Sequence, residues 1–485
     1  MIKKTLIAFI ILINIFCVTQ CFAEAEYNGY IVKLKDSDSI TLFSEQKDDV
    51  TESLEAIIPS KNLYKADSEE EVKELMDAGL VEYAEPDYTV TLYDNLFVPA
   101  DYYYGKSTYQ YGINMINADA AWNMGIFGND VTIGLIDSGI YPHNELIGNT
   151  LQGYNYTVSS SVCSKGAKCT DTTCAHYDYV DTYSHGTFCA GIMVAEANSE
   201  HMIGAVPAAK IVPLRSFVNQ NGSVSNIALA IYDAVDKYDC DVINMSFGLA
   251  SNSSSLKAAV KYAKDNNVLM VAAAGNDGVN STRYPGGYDG VVCVGSVDSA
   301  GSKSSFSNYG TYVDLAAPGT GIYSCSITST SGFARSSGTS FAAPYVTAAA
   351  AMCRMIDPDI TNEEFETLVK STATPFAEDF SYSLGSGVLN VENMLLSLLE
   401  GTEVYYSPIN RFNNTTFRMV TNLSESEISF ADMWKSDNMI QYNSVDLPAN
   451  TGYRTDFEEE ANTVNYIWES IKSLKPVNKK EFTLN

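Results

Sequence analysis

The sequence predicts an α/β protein built on a doubly wound, mostly parallel sheet. A small α+β unit precedes that sheet and a small C-terminal module follows it. Two observations carry the prediction. From about residue 100 to 397, near-continuous apolar runs alternate with helical patterns, as in a parallel sheet covered on both faces. Chemistry-bearing residues also stand where those runs end: Asp137 closes one, and Asn276 follows the AAAG end of another. In such sheets sites form at the C-terminal ends of strands.

In chain order, MIKKTLIAFIILINIFCVTQCFA (1–23) has two lysines, an apolar run and a small residue before an acidic stretch. This is a secretory signal layout with cleavage expected after Ala23; an uncleaved anchor is the alternative. Residues 24 to about 96 read as the α+β unit: a strand at 29–35, a helix over 67–80 opened by a Ser68/Glu71 capping box, then strand, turn and strand over 81–93. The main domain follows, with strands at 131–137, 209–217, 241–248, 267–275 and 290–297, and helices at 225–238 and 254–266. The tail, 398–485, is rich in aromatic residues. Val464, Ile467, Trp468 and Ile471 share one helical face there, and EVYY (403–406) reads as a short strand. A small module packed on the main domain is expected.

Composition bounds the function. The chain has 485 residues, 46% hydrophobic and 18% charged, enough for a large core, and a formal net charge of −29. That charge argues against nucleic acid and anionic membrane surfaces as partners. Eight of the ten cysteines lie beyond residue 23. Cys189, Cys240, Cys293, Cys325 and Cys353 read mostly as buried thiols. Cys163, Cys169 and Cys174 cluster with His176 in one polar stretch. A disulfide between two of the three is expected in an exported protein, with a zinc site as the alternative.

The stretch SSGTSFAAP (336–344) sets Ser340 before an Ala-rich helix pattern with Pro344 placed in its first turn. A helix N-terminus favours developing negative charge. A serine there is either a cap or a nucleophile, and a nucleophile needs a base. The chain has four histidines, 143, 176, 185 and 201. His185, in SHGTFCAG, opens a run of small residues. Asp137, in IDSGI, ends a buried strand, where a carboxylate can fix the tautomer of an imidazole and stabilise its charged form. Asn276, in AAAGNDG, can donate to an oxyanion, a contact whose loss costs about 10²–10³ in turnover.

Taken together and in this order, DSG, HGT, GN and GTSxAAP resemble the signatures of the subtilisin-like (subtilase, peptidase S8) serine proteases, over roughly residues 100–397. VEYAEPDYTV (81–90) resembles the end of that family's inhibitory propeptide, and YQYGINMINADAAW (109–122) its early mature sequence. The resemblance implies that Asp137 orients the base, His185 is base then acid, Ser340 is the nucleophile, and Asn276 and the Ser340 N–H hold the oxyanion. It implies that Ser246, Phe247 and Gly248 pair with extended substrate, with Gly222 on the opposing edge. Arg283 aligns with the floor of the primary specificity pocket. There it shrinks the pocket or favours an acidic side chain, or else turns outward to pair with Asp277. Phe341 replaces a methionine usual after the nucleophile and is expected to narrow the leaving-group side. PYV replaces PHV at 344–346, a packing change.

The resemblance also places a calcium loop at EANSEHM (196–202), with Glu145, Asn198 and the carbonyls of 196, 200 and 202 as ligands. No cofactor is required for the chemistry. The expectation is a secreted, monomeric serine endopeptidase made as a zymogen, inhibited by its own residues 24–96 and acting on protein or peptide substrates. The alternatives are a non-catalytic binding pseudoprotease and a dedicated processing protease for one exported peptide.

Overall fold

The computed structural model describes residues 109–158, 175–376 and 384–400 without interruption, and shorter pieces between 27 and 104 and between 402 and 483. Residues 1–23, residues 91–98, and Cys163, Cys169 and Cys174 lie outside the described residues. The chain divides into two units between Asp94 and Asn95.

In the first unit, β1 (Tyr27–Leu34), β2 (Glu55–Ile58), β3 (Leu63–Ala66) and β4 (Val81–Tyr88) form an antiparallel sheet in the order β2-β3-β1-β4. Helix α1 (Glu69–Asp77) begins where Ser68 Oγ accepts the Glu71 N–H at 3.2 Å. It buries Val72 and Leu75 against Val32, Leu34 and Ala66. The stretch 81–88 is one strand, not the expected strand and turn. Pro86 reads as a turn signal, but β4 is the edge of the sheet, where a missing N–H can face outward at no cost to the ladder. Residues 89–93 lie outside the described residues.

In the second unit, α2 (Tyr111–Met115) and α3 (Ala118–Asn123) lead into β5 (Thr132–Asp137), β6 (Tyr154–Asn155), α4 (His185–Val194), β7 (Lys210–Arg215), the hairpin β8 (Phe217–Val218)–β9 (Asn221–Gly222), α5 (Val224–Asp236), β10 (Val242–Met245), α6 (Ser254–Asp265), β11 (Leu269–Ala273), β12 (Val292–Val297) and β13 (Leu315–Pro318). Seven of these strands make a parallel sheet, ordered β13-β12-β11-β10-β5-β7-β6. Successive side chains feed opposite cores. Ile133, Leu135, Val242, Leu269 and Val271 join α4 and a later helix over Thr339–Ile356. Ile136, Ile243, Met270 and Ala272 meet α5 and α6. Burial on both faces is why these strands are apolar throughout rather than alternating. Ser223 and Ser253 cap α5 and α6 by accepting from Asn226 N–H and Leu256 N–H.

A hairpin of β14 (Ile322–Ser326) and β15 (Gly332–Ser336) precedes α7 (Thr339–Ile356), α8 (Asn362–Ser371) and α9 (Val391–Leu398). Helix α7 is buried from Thr339 almost to its end, Ser340 excepted, and its alanines let it lie close against the sheet. Pro344 is the sixth residue of α7, not a first-turn residue as its sequence context suggests, so it removes a helical hydrogen bond. Tyr345 is buried, and its hydroxyl fills the space where a Cβ on Gly112 would stand. Cys189, Cys240, Cys293, Cys325 and Cys353 are free and buried, as their apolar contexts indicate.

The tail is β-structured. Strands β16 (Val404–Tyr406), β17 (Asn410–Phe412), β18 (Thr415–Asn422) and β21 (Gly452–Phe457) form one sheet; β19 (Ile428–Ser436), β20 (Met439–Leu447), β22 (Thr463–Ser470) and β23 (Pro476–Thr483) form another. Of the helical face expected over Val464, Ile467, Trp468 and Ile471, Ile471 lies outside the described residues, and the first three lie instead in strand β22, paired antiparallel with β19 and β23. Its β-branched and aromatic residues suit a strand, and a single i, i+3, i+4 coincidence over eight residues does not fix a helix. The first tail sheet packs on the main domain. Met419 is fully buried in the main core, and Asn410 Nδ2 donates to the Gly125 carbonyl at 3.2 Å. Among the described residues no helix is long and apolar enough to cross a membrane.

Candidate active site

Strands β5, β10 and β11 are neighbours in the sheet, and the candidate residues come from their C-terminal ends or from helices that start beside them. Asp137 is the last residue of β5 and only 4% exposed. Its Oδ1 accepts from the Ser138 N–H at 2.7 Å and from His185 Nδ1 at 2.8 Å; Oδ2 lies 3.0 Å from the same nitrogen. His185 opens α4 with 26% of its side chain exposed. Burial alone pulls its pKa down. The charge of Asp137, their hydrogen bond and Asp181 behind them outweigh that, and the imidazole ends above its ordinary value.

Asp181 is the residue that sequence reasoning missed. It is 1% exposed. Its Oδ1 accepts from Ser138 Oγ (2.9 Å), Tyr183 N–H (2.8 Å) and Ser184 N–H (3.0 Å). Its Oδ2 accepts from Thr187 N–H (3.0 Å) and Thr187 Oγ1 (2.6 Å). It thereby ties the start of α4, and His185 with it, to the residue following Asp137. Ser184, the N-cap, is held at φ 81°, a left-handed conformation costly for a serine, within this web. The signal was an acidic residue four positions before the histidine that opens a helix of small residues.

Ser340 is the second residue of α7, at the helix end where N–H groups lack intrahelical partners. Its hydroxyl donates to the Ser246 carbonyl at 2.9 Å. Its own carbonyl accepts from Ser246 Oγ at 2.7 Å and from Cys189 Sγ at 3.4 Å. Cys189 is the common neighbour of the three candidates: its Sγ, an Asp137 carboxylate oxygen and a His185 ring nitrogen lie within 4.8 Å of one another. Burial, then the charge of Asp137, pushes that thiol well up, so it stays protonated as a donor. The Phe341 ring lies 5.4 Å from the His185 ring and 4.4 Å from Phe188, and the residue is 6% exposed. It therefore packs inward as core beneath His185 rather than narrowing the leaving-group side.

Asn276 follows β11. Its Oδ1 accepts from Thr339 N–H (2.8 Å) and Thr339 Oγ1 (2.9 Å), and Thr339 Oγ1 accepts in turn from the Gly275 N–H (3.1 Å). With the oxygen so used, the amide presents Nδ2 toward the start of α7, 3.4 Å from where a Cβ on Gly338 would stand.

Ser246, Phe247 and Gly248 continue from β10. A cleft of about 230 Å³ lies beside Asp137, His185, Ser246 and Phe247, closed on its far side by Phe217, Asn219 and Gln220. The Phe217 and Phe247 rings are 5.1 Å apart. Gly222, in β9, abuts Phe217, where a Cβ would come within 2.7 Å of the ring. Arg283 pairs with Asp277, Nη2 to Oδ2 at 2.7 Å, with 17% of the arginine side chain exposed. Its stem still occupies the space between two backbone segments. Arg283 Cβ is 3.2 Å from a Cβ position on Gly248, and Arg283 Cγ is 3.1 Å from one on Gly275.

Glu145 and Asn198 also meet. Glu145 is 1% exposed and accepts from Asn198 Nδ2 (3.1 Å) and the His201 N–H (3.3 Å), with His201 Nδ1 at 3.5 Å. Asp101, 3% exposed, joins them by accepting the Asn198 N–H at 3.3 Å. Burial raises Asp101 to about 6 and Glu145 to about 7. Asp101 had no signal in the sequence, because it lies almost a hundred residues before the loop it meets. His176 is buried, its ring stacked on Tyr154 at 5.2 Å.

Comparison with known proteins agrees with this geometry. The sequence pattern of the Subtilase family matches residues 128–388, more than half of the chain. A thermophilic serine proteinase of Bacillus sp. (strain AK1) is 37% identical over 64% of this chain and 72% of its own length. An alkaline protease of Shouchella clausii is 30% identical over 76% of this chain and 89% of its own. Subtilisin Savinase of Lederbergia lenta is 34% identical over 58% and 97%. Among solved structures, a protease from Pseudoalteromonas arctica PAMC 21717 superposes with a TM-score of 0.56 at 30% identity, covering 62% of this chain and all of that one. The chain belongs to the subtilase family, the subtilisin-like serine peptidases.

Proposed function

We propose that this protein is a serine endopeptidase in which Ser340 forms an acyl-enzyme with the carbonyl of the scissile bond. The observation that carries the reading is the 2.8 Å Asp137–His185 contact beside a serine at the start of α7. Attack requires the Ser340 hydroxyl to turn from the Ser246 carbonyl to Nε2 of His185, which takes its proton. The Asn276 amide and the Ser340 N–H hold the resulting oxyanion. The imidazolium, stabilised by Asp137, protonates the leaving amine, and water then releases the acyl group by the same base. Extended substrate lies along Ser246–Gly248, with Gly222 opposite.

We further propose that residues 1–23 direct export and that residues 24 to about 96 are an inhibitory segment removed by self-cleavage. The break between Asp94 and Asn95 and the separate core of the first unit support this reading. A fluorophosphonate probe is expected to label the protein. Ser340→Ala is expected to abolish labelling, cut turnover by about 10⁶-fold, and leave residues 24–96 attached in the intact mass of the secreted chain. A labelled Ser340→Ala variant, or an unlabelled parent, contradicts the assignment. An unlabelled parent favours the pseudoprotease reading, and failure to digest casein favours a dedicated processing enzyme.

The Arg283 stem fills the space between Gly248 and Gly275, and Asp277 neutralises its charge. The residue before the scissile bond is therefore small, and an acidic one gains nothing. Peptides with Ala at that position are expected to exceed those with Phe or Glu in kcat/KM. Arg283→Gly is expected to raise the Phe substrate about tenfold or more. A parent that prefers Phe, unchanged by Arg283→Gly, rules this out.

Calcium is proposed as a structural ion at Glu145 and Asn198, with Asp101 as a third ligand. Two buried carboxyls raised by burial fit a hard cation that would keep both ionised. Asn198 would have to turn its amide over, since its Oδ1 now accepts the Glu200 N–H at 2.9 Å. Saturating calcium is expected to raise the Tm by about 5 °C over the chelated protein. A Tm indifferent to calcium and EDTA refutes the site.

A further inference from the structure

Helix α7 contains a deletion in its own hydrogen-bond ladder. Pro344 stands four residues after Ser340, so the N–H that would return to the Ser340 carbonyl does not exist. The carbonyl is satisfied from outside the helix: Ser246 Oγ donates to it at 2.7 Å and Cys189 Sγ at 3.4 Å. Ser246 Oγ is itself held, because Asn244 Nδ2 donates to it at 2.9 Å. Asn244 Oδ1 in turn accepts from Thr347 Oγ1 at 2.9 Å. Asn244 and Thr347 are fully buried and Ser246 is 3% exposed. The chain of bonds thus leaves α7 at Ser340, crosses to the end of β10, and re-enters α7 at Thr347. The Ser340 hydroxyl also donates to the carbonyl of Ser246, so one residue holds the candidate nucleophile by both its side chain and its backbone.

We propose that Ser246 is a positioning residue for Ser340, its hydroxyl replacing the N–H that Pro344 removes. In an unbroken helix the Ser340 carbonyl would be set by the fourth residue on. Here it is set by the end of β10, the strand next to β5 and β11, which carry Asp137 and lead to Asn276. The orientation of the Ser340 peptide, and hence the direction of Oγ and of the oxyanion N–H, is referred to the sheet rather than to the helix. A shift of about 1 Å at such a site can cost about 100-fold in rate. Ser246 acts here through its side-chain hydroxyl, a role separate from the pairing of its backbone with extended peptide. The inference rests on Ser340 being the nucleophile.

A double-mutant cycle tests it on the matured protein, with kcat counted per fluorophosphonate-titrated site. Ser246→Ala is expected to lower kcat about 10–100-fold with KM within about threefold, whereas Ser246→Thr, which keeps the hydroxyl, stays near the parent. Pro344→Ala restores the helical N–H. In that background Ser246→Ala is expected to cost less than about threefold. The unpaired Asn244 amide lowers the Tm by the same amount with Pro or Ala at 344, so a merely structural role shows no dependence on residue 344 in kcat. Should Ser246→Ala not fold, Ser246→Cys, a weaker donor of nearly the same shape, carries the same comparison. An equal kcat loss in both backgrounds, or an effect confined to KM, overturns the proposal. An unlabelled parent overturns the serine-peptidase reading and this inference together.

Discussion

A carboxylate buried at the end of a parallel strand is costly unless its charge is answered, and the site is arranged to answer that of Asp137. Two partners do so: the Ser138 N–H and the His185 ring. Asp181, buried behind them, would add a second uncompensated charge were it not for five donors, which also set the first turn of α4. Ser138 links the two systems, donating its hydroxyl to Asp181 and accepting the Gly186 N–H at 3.0 Å. The polar network that makes the charges tolerable is therefore the same one that aims the histidine. Loss of a donor would cost position as well as stability.

The parallel sheet explains why so few residues suffice. Strands β11, β10 and β5 lie side by side and end at the same edge, so one chain crossing per strand delivers Asn276, Ser246 and Asp137 to a common line. Helices α4 and α7 start beside that edge and present His185 and Ser340 from their first turns. The thiol of Cys189, one turn into α4, touches the Ser340 carbonyl and joins the two helices beneath the cleft. Aromatic Phe217 and Phe247 line the cleft, and the Arg283 stem occupies the space between Gly248 and Gly275.

Strands β5, β7, β10, β11 and β12 and helices α5, α6 and α7 were legible in the sequence because burial on both faces leaves continuous apolar runs between helical patterns; β6 and β13, at the sheet edges, were not. Asp137, His185, Asn276 and Ser340 were legible because each stands at the end of such a run or the start of such a helix. What escaped notice has a different origin. Asp181 and Asp101 act largely through backbone N–H groups supplied by the fold; a place four positions before His185 was the one signal for Asp181, and Asp101 had none. The role of the Ser246 side chain depends on a bond missing from another element, where Pro344 stands about one turn after Ser340. The tail was misread at Val464, Ile467 and Trp468 because a strand rich in Val, Ile and Trp can match helical spacing over so short a span. The turn expected within 81–93 does not fall in 81–88, because β4 lies at a sheet edge that tolerates Pro86.

The account turns on the charge of Asp137 holding the His185 imidazole above its ordinary pKa against the pull of burial. With only four histidines in the chain, each ring can be followed by NMR as pH is changed in the Ser340→Ala protein. The account predicts that His185 titrates above its ordinary value, and that Asp137→Asn lowers it, because burial is then opposed only by the weaker influence of Asp181. A His185 that titrates at the same pH with and without the Asp137 carboxylate would contradict it.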